Sequence, residues 1–216
     1  MTQPSSHDGA DTPRQAVPLA KDLRAVLPIG IPLGCQPQPP GDARRFAVRR
    51  GGRFCSLDVE GQDLWISAWR GLPRQELAHL MADKWKRDVP EVLKDIDHFI
   101  AGRLLLQLGG DWREDWERIT TIRPVPRAFI KDYDGKFRFR LVTPGGRWEI
   151  WLSPDHYAVW SAWDGAVTLG EAVRSAAEAS GWCENVLQQR AHSLLVVSVR
   201  AAAIFMDELA LGGNRH

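Results

Sequence analysis

The chain has 216 residues, 44% hydrophobic and 25% charged, with a net charge of +1. These fractions are ordinary for a globular protein, and the small charge gives no overall attraction to nucleic acid or membrane surfaces. The chain starts without a basic and apolar signal segment, and charged residues interrupt its longest apolar run, 194–211. We therefore expect a cytoplasmic protein with no membrane segment.

Residues 1–42 are rich in Pro, Gly, Ser, Gln and Asp, and we expect most of them to form a flexible tail. The piece 25–35 is apolar enough to pack on the first domain as a strand or clasp. Its two prolines argue against a central strand.

A first domain is predicted over 43–108. Segments 45–50 and 53–58 flank Gly51-Gly52, which supplies the positive φ angles of a tight hairpin turn. Helices are expected at about 60–70, 73–86 and from Pro90 to 101, followed by a short strand or wing at 104–108. Apolar residues at helical spacing give the second and third helices a buried stripe.

Residues 109–127 are predicted to be a linker, in which Trp112 and Trp116 lie one helical turn apart. A second domain follows over 128–211. Strands are expected at 128–133, 136–142 and 147–152, with turn signals between them. Helices are predicted at 154–163, 168–180 and 184–210, the last one long or broken near Ser198. Thr168 and Glu171 have the spacing of a capping box.

The two predicted domains repeat one pattern. Trp65, Trp69, Gly71 and Glu76 match Trp160, Trp163, Gly165 and Glu171, about 95 residues later, when the spacers shift by one residue. Such self-similarity indicates a tandem repeat of one fold. The sequence therefore predicts an α+β protein with two winged helix–turn–helix domains, each a small antiparallel sheet plus three helices.

Two motifs resemble the PqqD-like fold: L-D-x-x-G-x-x-L-W at 57–65 and W-S-A-W-D-G-A-V-T-L-G-E-A-V at 160–173. This fold is also called the RiPP recognition element, which holds the leader of a ribosomally made precursor peptide while another enzyme modifies its core. The resemblance covers about 45–108 and 128–200. The tandem layout is also similar to partner subunits of multinuclear non-heme iron oxidases in peptide-natural-product pathways.

The resemblance implies a non-catalytic subunit that binds a leader by strand addition to a sheet edge, beside the third helix. It implies a separate modifying enzyme as partner, with any iron in that enzyme and no cofactor in this chain. The candidate edges are 53–58 against 91–101, and 147–152 against 184–199. The predicted peptide-binding residues are Arg49, Arg53, Phe54, Cys55, Ser56, Leu57, Lys94, Asp95, His98, Arg147, Trp148 and Ile150.

Five arginines surround the first edge: Arg44, Arg45, Arg49, Arg50 and Arg53. Leaders in the family are often acidic, which favours the first half for peptide binding. The same arginines could instead keep a sheet edge soluble. Both edges therefore stay open at this point.

Ten tryptophans are an unusual number. Trp65, Trp69, Trp160 and Trp163 are predicted to pack in the cores, because aromatic side chains bury large apolar areas. Interface roles are predicted for Trp112, Trp116, Trp151 and Trp182. Core packing remains the competing interpretation for these four. Trp148 and Trp151 have opposite strand parity, so at least one should face away from its own core.

No catalytic residue or metal site is predicted. The six histidines and three cysteines form no H-x-x-x-H or His/Cys cluster, and phosphate-loop, nucleophile-elbow and dinucleotide motifs are missing. The alternative function is a winged-helix DNA-binding regulator. Its recognition helix would be 91–101, whose three acidic residues and one lysine carry the wrong charge to face phosphates. We therefore expect no nucleic-acid partner.

Overall fold

The structure is a computed structural model that describes residues 15–16, 23–36, 45–133, 138–143, 146, 148–164 and 168–208. Within these ranges the protein is α+β, with seven α-helices and small, mainly antiparallel sheets. The two-residue strand β1 (Gln15–Ala16) comes first in the chain. Of the helices described, none has both the length and the apolar character needed to cross a membrane.

The first half starts with β2 (Ala25–Pro28), β3 (Ile31–Gln36), β4 (Arg45–Arg50) and β5 (Arg53–Leu57). The last three form an antiparallel sheet in the order β3-β4-β5. The predicted hairpin is present, and Gly51 has a φ of 54° in its turn.

Three helices follow the sheet: α1 (Val59–Ser67), α2 (Arg74–Trp85) and α3 (Val89–Ala101). A 3-10 turn (Ala68–Arg70) extends α1, so the helical segment reaches residue 70, the predicted end. Asp58 caps α1 by accepting a hydrogen bond from the Gly61 amide at 2.8 Å. The half ends with β6 (Leu105–Leu108), which pairs with β2.

The second half follows α4 (Trp112–Ile119), the helix indicated by the tryptophan spacing. Its strands are β7 (Ile122–Pro126), β8 (Phe129–Tyr133), β9 (Phe139–Val142) and β10 (Trp148–Leu152). Its helices are α5 (Pro154–Trp163), α6 (Leu169–Ser180) and α7 (Glu184–Arg200), followed by β11 (Ile204–Glu208). The sheet order is β1-β10-β9-β8, while β7 pairs with β11.

The end of the last predicted helix differs from the expectation of 184–210. The helix α7 stops at Arg200, because Ala202 takes a left-handed backbone with a φ of 52°. The Ala203 amide then donates to the Ser198 carbonyl at 2.7 Å, which closes the helix end. The apolar residues that follow turn back as β11 instead of continuing the helix.

The apolar piece 25–35, expected to pack as a strand or clasp, forms the strands β2 and β3. Strand β2 lies between the two halves and is buried along its whole length. Ala25 and Leu27 belong to the core of the second half, whereas Val26 belongs to the core of the first. A strand covered on both faces reads as a continuous apolar run, which explains its sequence.

The elements of the two halves keep a constant spacing. The elements β5, α1, α2 and α3 begin at Arg53, Val59, Arg74 and Val89, and β10, α5, α6 and α7 begin 95 residues later, at Trp148, Pro154, Leu169 and Glu184. In each half the first strand also pairs with the last, as β2–β6 and β7–β11. The repeated unit therefore starts at β2 and β7, earlier than the sequence indicated.

Buried residues follow the same spacing, so the two cores are built alike. Leu64, Trp65, Leu77 and Val92 are buried in the first half, and Val159, Trp160, Ala172 and Leu187 are buried in the second. Trp163 is buried as predicted. Trp69 is only partly buried and lies between the halves, with its ring 5.7 Å from Trp65 and 5.5 Å from Phe205. The two halves thus share one continuous interior.

Candidate functional site

The outer edge of β5 is open. In the described part of the chain, β5 pairs with β4 and no strand lies on its other side. Arg53, Phe54 and Ser56 are exposed, and Phe54 reaches 73% exposure. In a two-residue hairpin the residues next to the turn form a hydrogen-bonded pair, and the pattern alternates from there. Because Arg50 pairs with Arg53, the amides of Phe54 and Ser56 face the open edge.

A cavity of about 140 Å³ lies where β5 leads into α1, beside α3. Gly61 makes the close approach of α3 possible, since a Cβ there would lie 3.0 Å from the Phe99 ring. Its wall includes polar and aromatic side chains: Asp58, Glu60, Trp85, Asp95, His98 and Phe99. The structure thus brings two predicted α3 residues, Asp95 and His98, to the end of β5. Lys94 is exposed on the same helix but does not line the cavity.

The cavity wall is acidic, with one arginine within it. The guanidinium of Arg87 lies 2.9 Å from both Glu60 and Asp95, and 3.4 Å from Glu91. Partial burial lowers the pKa of Arg87, but the attraction of Asp95 and of the neighbouring carboxylates outweighs it, so the pKa is raised overall. The guanidinium also lies 5.6 Å from the Trp85 ring.

The start of the corresponding edge of the second half is already paired. Strand β1 lies parallel to β10, with Gln15 opposite Trp148 and Ala16 opposite Glu149. The predicted contact Arg147 lies outside the described residues. A peptide strand could reach this part of β10 only by displacing β1.

Three predicted side-chain contacts are oriented away from a peptide. Leu57 and Ile150 are buried in the two cores, so only their main chains are available for strand addition. Trp148 packs against the second core, whereas Trp151 faces the other way, 5.6 Å from the guanidinium of Arg138. The parity prediction for these two tryptophans is confirmed. Cys55 is half-buried in the middle of β5.

The arginines near the first edge are partly engaged by the second half. Arg49 lies 4.0 Å from Asp207, and Arg50 lies 3.4 Å from Glu208 and also donates to the Gly102 carbonyl. The positive charge available to a peptide is therefore smaller than the sequence suggested. Arg45 and Arg53 are exposed, and Arg44 lies outside the described residues.

The second half carries a buried histidine at the position that is Gly61 in the first. His156, which stands 95 residues after Gly61, is 4% exposed. Its Nδ1 lies 2.6 Å from the Ser153 hydroxyl and its Nε2 lies 3.2 Å from the Ser193 hydroxyl. Burial lowers the pKa of His156, so the ring is neutral at pH 7. No local sequence signal indicates this network, although aligning the repeats places His156 at the position equivalent to Gly61.

An ion pair lies next to this histidine. The Arg190 guanidinium lies 2.5 Å from Asp155, whose side chain also accepts a hydrogen bond from Ser153. Burial alone would raise the pKa of Asp155, but the bonds from Ser153 and Arg190 and the charge of Arg190 lower it to about 2. The carboxylate is therefore ionised at neutral pH, and it ties the start of α5 to α7.

The predicted interface tryptophans lie on separate elements. Trp116 packs against the second core, while Trp112 is partly exposed with the Arg113 guanidinium 4.6 Å from its ring. Their helix α4 is fixed by buried Asp115, which accepts from His192 Nε2 at 2.9 Å. Trp182 is 46% exposed and lines a groove of about 510 Å³ between α5 and α6.

Comparison of the chain with protein-family models, with curated proteins and with solved structures gives no match. Among the residues that the structure describes, no three His, Cys, Asp or Glu side chains are grouped so that they could hold a metal ion. The candidate site thus consists of an open strand edge next to a cavity of about 140 Å³.

Proposed function

We propose that the protein is a non-catalytic, cytoplasmic subunit that binds the leader of a ribosomally made precursor peptide and presents it to a separate modifying enzyme. The observation that carries the proposal is the difference between two equivalent edges. The outer edge of β5 is unpaired among the described residues, while that of β10 holds β1. The first half is therefore the half that binds the peptide.

An open edge is suited to this role because its main-chain groups can pair with an incoming strand, and alternate side chains then add specificity. In β5, the outward amides belong to Phe54 and Ser56, and the exposed Phe54 ring provides apolar surface beside them. The predicted α3 residues Asp95 and His98 lie at the end of the same edge.

Each half contains three consecutive antiparallel strands, β3-β4-β5 and β8-β9-β10, followed by three helices, which supports a tandem of PqqD-like winged-helix domains. In this proposal the second half docks the enzyme. Its half-exposed Trp182 and the adjoining groove between α5 and α6 are suitable for this contact, because tryptophan is enriched where proteins meet. The partner is a peptide-modifying enzyme such as a multinuclear non-heme iron oxidase, which would carry the iron itself.

A DNA-binding role has no support from the charges of α3. Its acidic side chains are accessible, with Asp95 40% and Asp97 57% exposed. Phosphate contacts need a basic surface on the helix that enters the groove. We therefore propose that the protein has no nucleic-acid partner.

The test is peptide binding measured by fluorescence anisotropy with a labelled leader peptide encoded beside this chain's gene. Two variants at one position separate main-chain from side-chain effects. Ser56→Pro removes an outward amide, which an edge strand tolerates, whereas Ser56→Ala keeps it. We expect Ser56→Pro to weaken binding by at least about tenfold, because it loses a hydrogen bond and places a ring in the path of the strand. Ser56→Ala should bind within about twofold of the wild type, since its side chain points away from the ladder.

Circular dichroism controls for the fold of Ser56→Pro. Equal binding by the two variants, or binding of duplex DNA instead of peptide, would contradict the proposed function. Co-purification of the adjacent modifying enzyme, reduced by Trp182→Ala, tests the role of the second half.

A further inference from the structure

The residues that line the cavity at the end of β5 have counterparts in the second half. Positions 58, 60, 61, 95 and 98 in its wall correspond to 153, 155, 156, 190 and 193 in the second half, at the spacing of 95 residues that relates the helices. In the second half, position 156 carries an imidazole, which contacts Ser153 and Ser193. In the first half, position 61 is a glycine, and the Phe99 ring lies 3.0 Å from the place that a Cβ would take.

The cavity is suitable for one side chain from outside. It measures about 140 Å³, and an engineered cavity of about 150 Å³ is known to hold a benzene molecule. Its inner wall is apolar, formed by Leu64, which is fully buried, and by the rings of Trp85 and Phe99. Such a wall would pack against the methylene stem of a long side chain.

The negative charge of the cavity wall favours a positively charged side chain. Asp58, Glu60 and Asp95 contribute three carboxylates, and Arg87 is the single arginine or lysine among the lining residues. The second half has Arg190 in place of Asp95, and this arginine pairs with Asp155 inside the same chain. The second half therefore has one cation for one carboxylate at these positions. In the first half, Arg87 alone faces three carboxylates of the wall, which leaves an excess of negative charge.

We propose that this cavity binds one basic side chain, lysine or arginine, of the peptide strand that adds to β5. The stem lies on Leu64, Trp85 and Phe99, and the cationic end meets the carboxylates of Glu60 and Asp95. Aromatic faces and carboxylates both attract such a cation. This inference rests on the proposed function and adds to it the side chain that the β5 site selects.

Residues of the second half provide the test variants. Gly61→His introduces the ring found at 156, and Asp95→Arg introduces the cation found at 190. The matched control is Asp97→Arg, which makes the same charge change on the same helix at a residue that pairs with Arg74 and does not line the cavity. Folding of each variant is checked by circular dichroism.

The first experiment selects binders from a displayed library of random 12-residue peptides on the immobilised full-length protein. We expect one position to be enriched in Lys and Arg. Replacing that residue by Gln in a labelled peptide should weaken binding to the wild type and to Asp97→Arg by about tenfold, the effect of losing roughly 1.4 kcal/mol. With Asp95→Arg, the Lys and Gln peptides should bind equally weakly.

The second experiment needs no peptide. Agmatine, a guanidinium on a four-carbon stem, is titrated while the Trp85 indole N–H signal is followed by NMR, since this N–H is buried with no partner among the described residues. The Trp85→Phe variant assigns the signal. We expect it to shift with the wild type and with Asp97→Arg, and to stay unchanged with Gly61→His.

The outcomes distinguish failure of the cavity's role from failure of the proposed function. Peptides that need the Ser56 amide but show no basic position, together with an unmoved Trp85 signal, overturn the cavity's role and leave strand addition intact. A library that yields no binder overturns the proposed function, and the inference falls with it.

Discussion

The shared strand β2 makes a sharp prediction about stability. Leu27 belongs by sequence to the first half, but its side chain is fully buried in the core of the second. Leu27→Ala should therefore lower the free energy of unfolding by about 3 kcal/mol, in the range found for leucines truncated in closed cores. For a chain of this size that loss corresponds to a decrease in Tm of about 6–12 °C.

The assay is urea unfolding followed by tryptophan fluorescence and by circular dichroism. Leu33→Ala on β3 is the matched control, because Leu33 is 43% exposed and should cost less than about 1 kcal/mol. We expect one transition by both probes, since β2 contributes side chains to both cores. Two separate transitions, of which only one moves in Leu27→Ala, would refute the continuous interior.

Two further predictions concern the second half. The pKa of Asp155 is about 2 in the folded protein, below its ordinary value of 3.8. Its stabilisation of about 2 kcal/mol is therefore complete above about pH 5 and is lost as the pH falls towards 2. Asp155→Asn should show that loss in urea unfolding at pH 7 and less of it at pH 3; an equal loss at both would contradict the assignment. Deleting residues 1–22 removes β1, so hydrogen exchange at the start of β10, where β1 pairs with Trp148 and Glu149, should accelerate while that of 53–57 stays unchanged.

Elements with local signals were predictable from the sequence. The Gly51-Gly52 turn fixes the first hairpin. The capping box at α6 is present as expected, with the Glu171 amide donating to Thr168 at 3.1 Å and the Thr168 amide donating to Glu171 at 3.2 Å. Signals of this kind act within a few residues, so no knowledge of the tertiary structure is needed to interpret them.

The elements that were mispredicted depend on distant partners. Strand β11 is stabilised by β7, about 80 residues earlier, and the apolar sequence before it reads equally well as helix. Strand β1 consists of Gln15–Ala16, two residues with no strand pattern of their own. Their places depend on which edges the rest of the fold leaves open.

The candidate site was predictable in part. The position of the β5 edge next to α3 was predictable from the order of the elements. The sequence left both halves open as binding sites. The difference between them depends on the pairing of β1 with β10 and on the side chain opposite Gly61, His156. The replacement of Gly61 by His156 in the second repeat can be seen in the sequence. Its importance becomes clear only when the fold shows that this position lies between two helices.

The most direct test of the account is amide hydrogen exchange of the full chain, with and without the selected peptide. The account predicts that the amides of Phe54 and Ser56, which face the open edge, become protected by at least about tenfold, as new ladder bonds require. The amides of β10 should stay unchanged, because β1 already pairs with that strand. Protection of β10, with the β5 amides still exchanging freely, would show that the peptide binds the second half and would contradict the account.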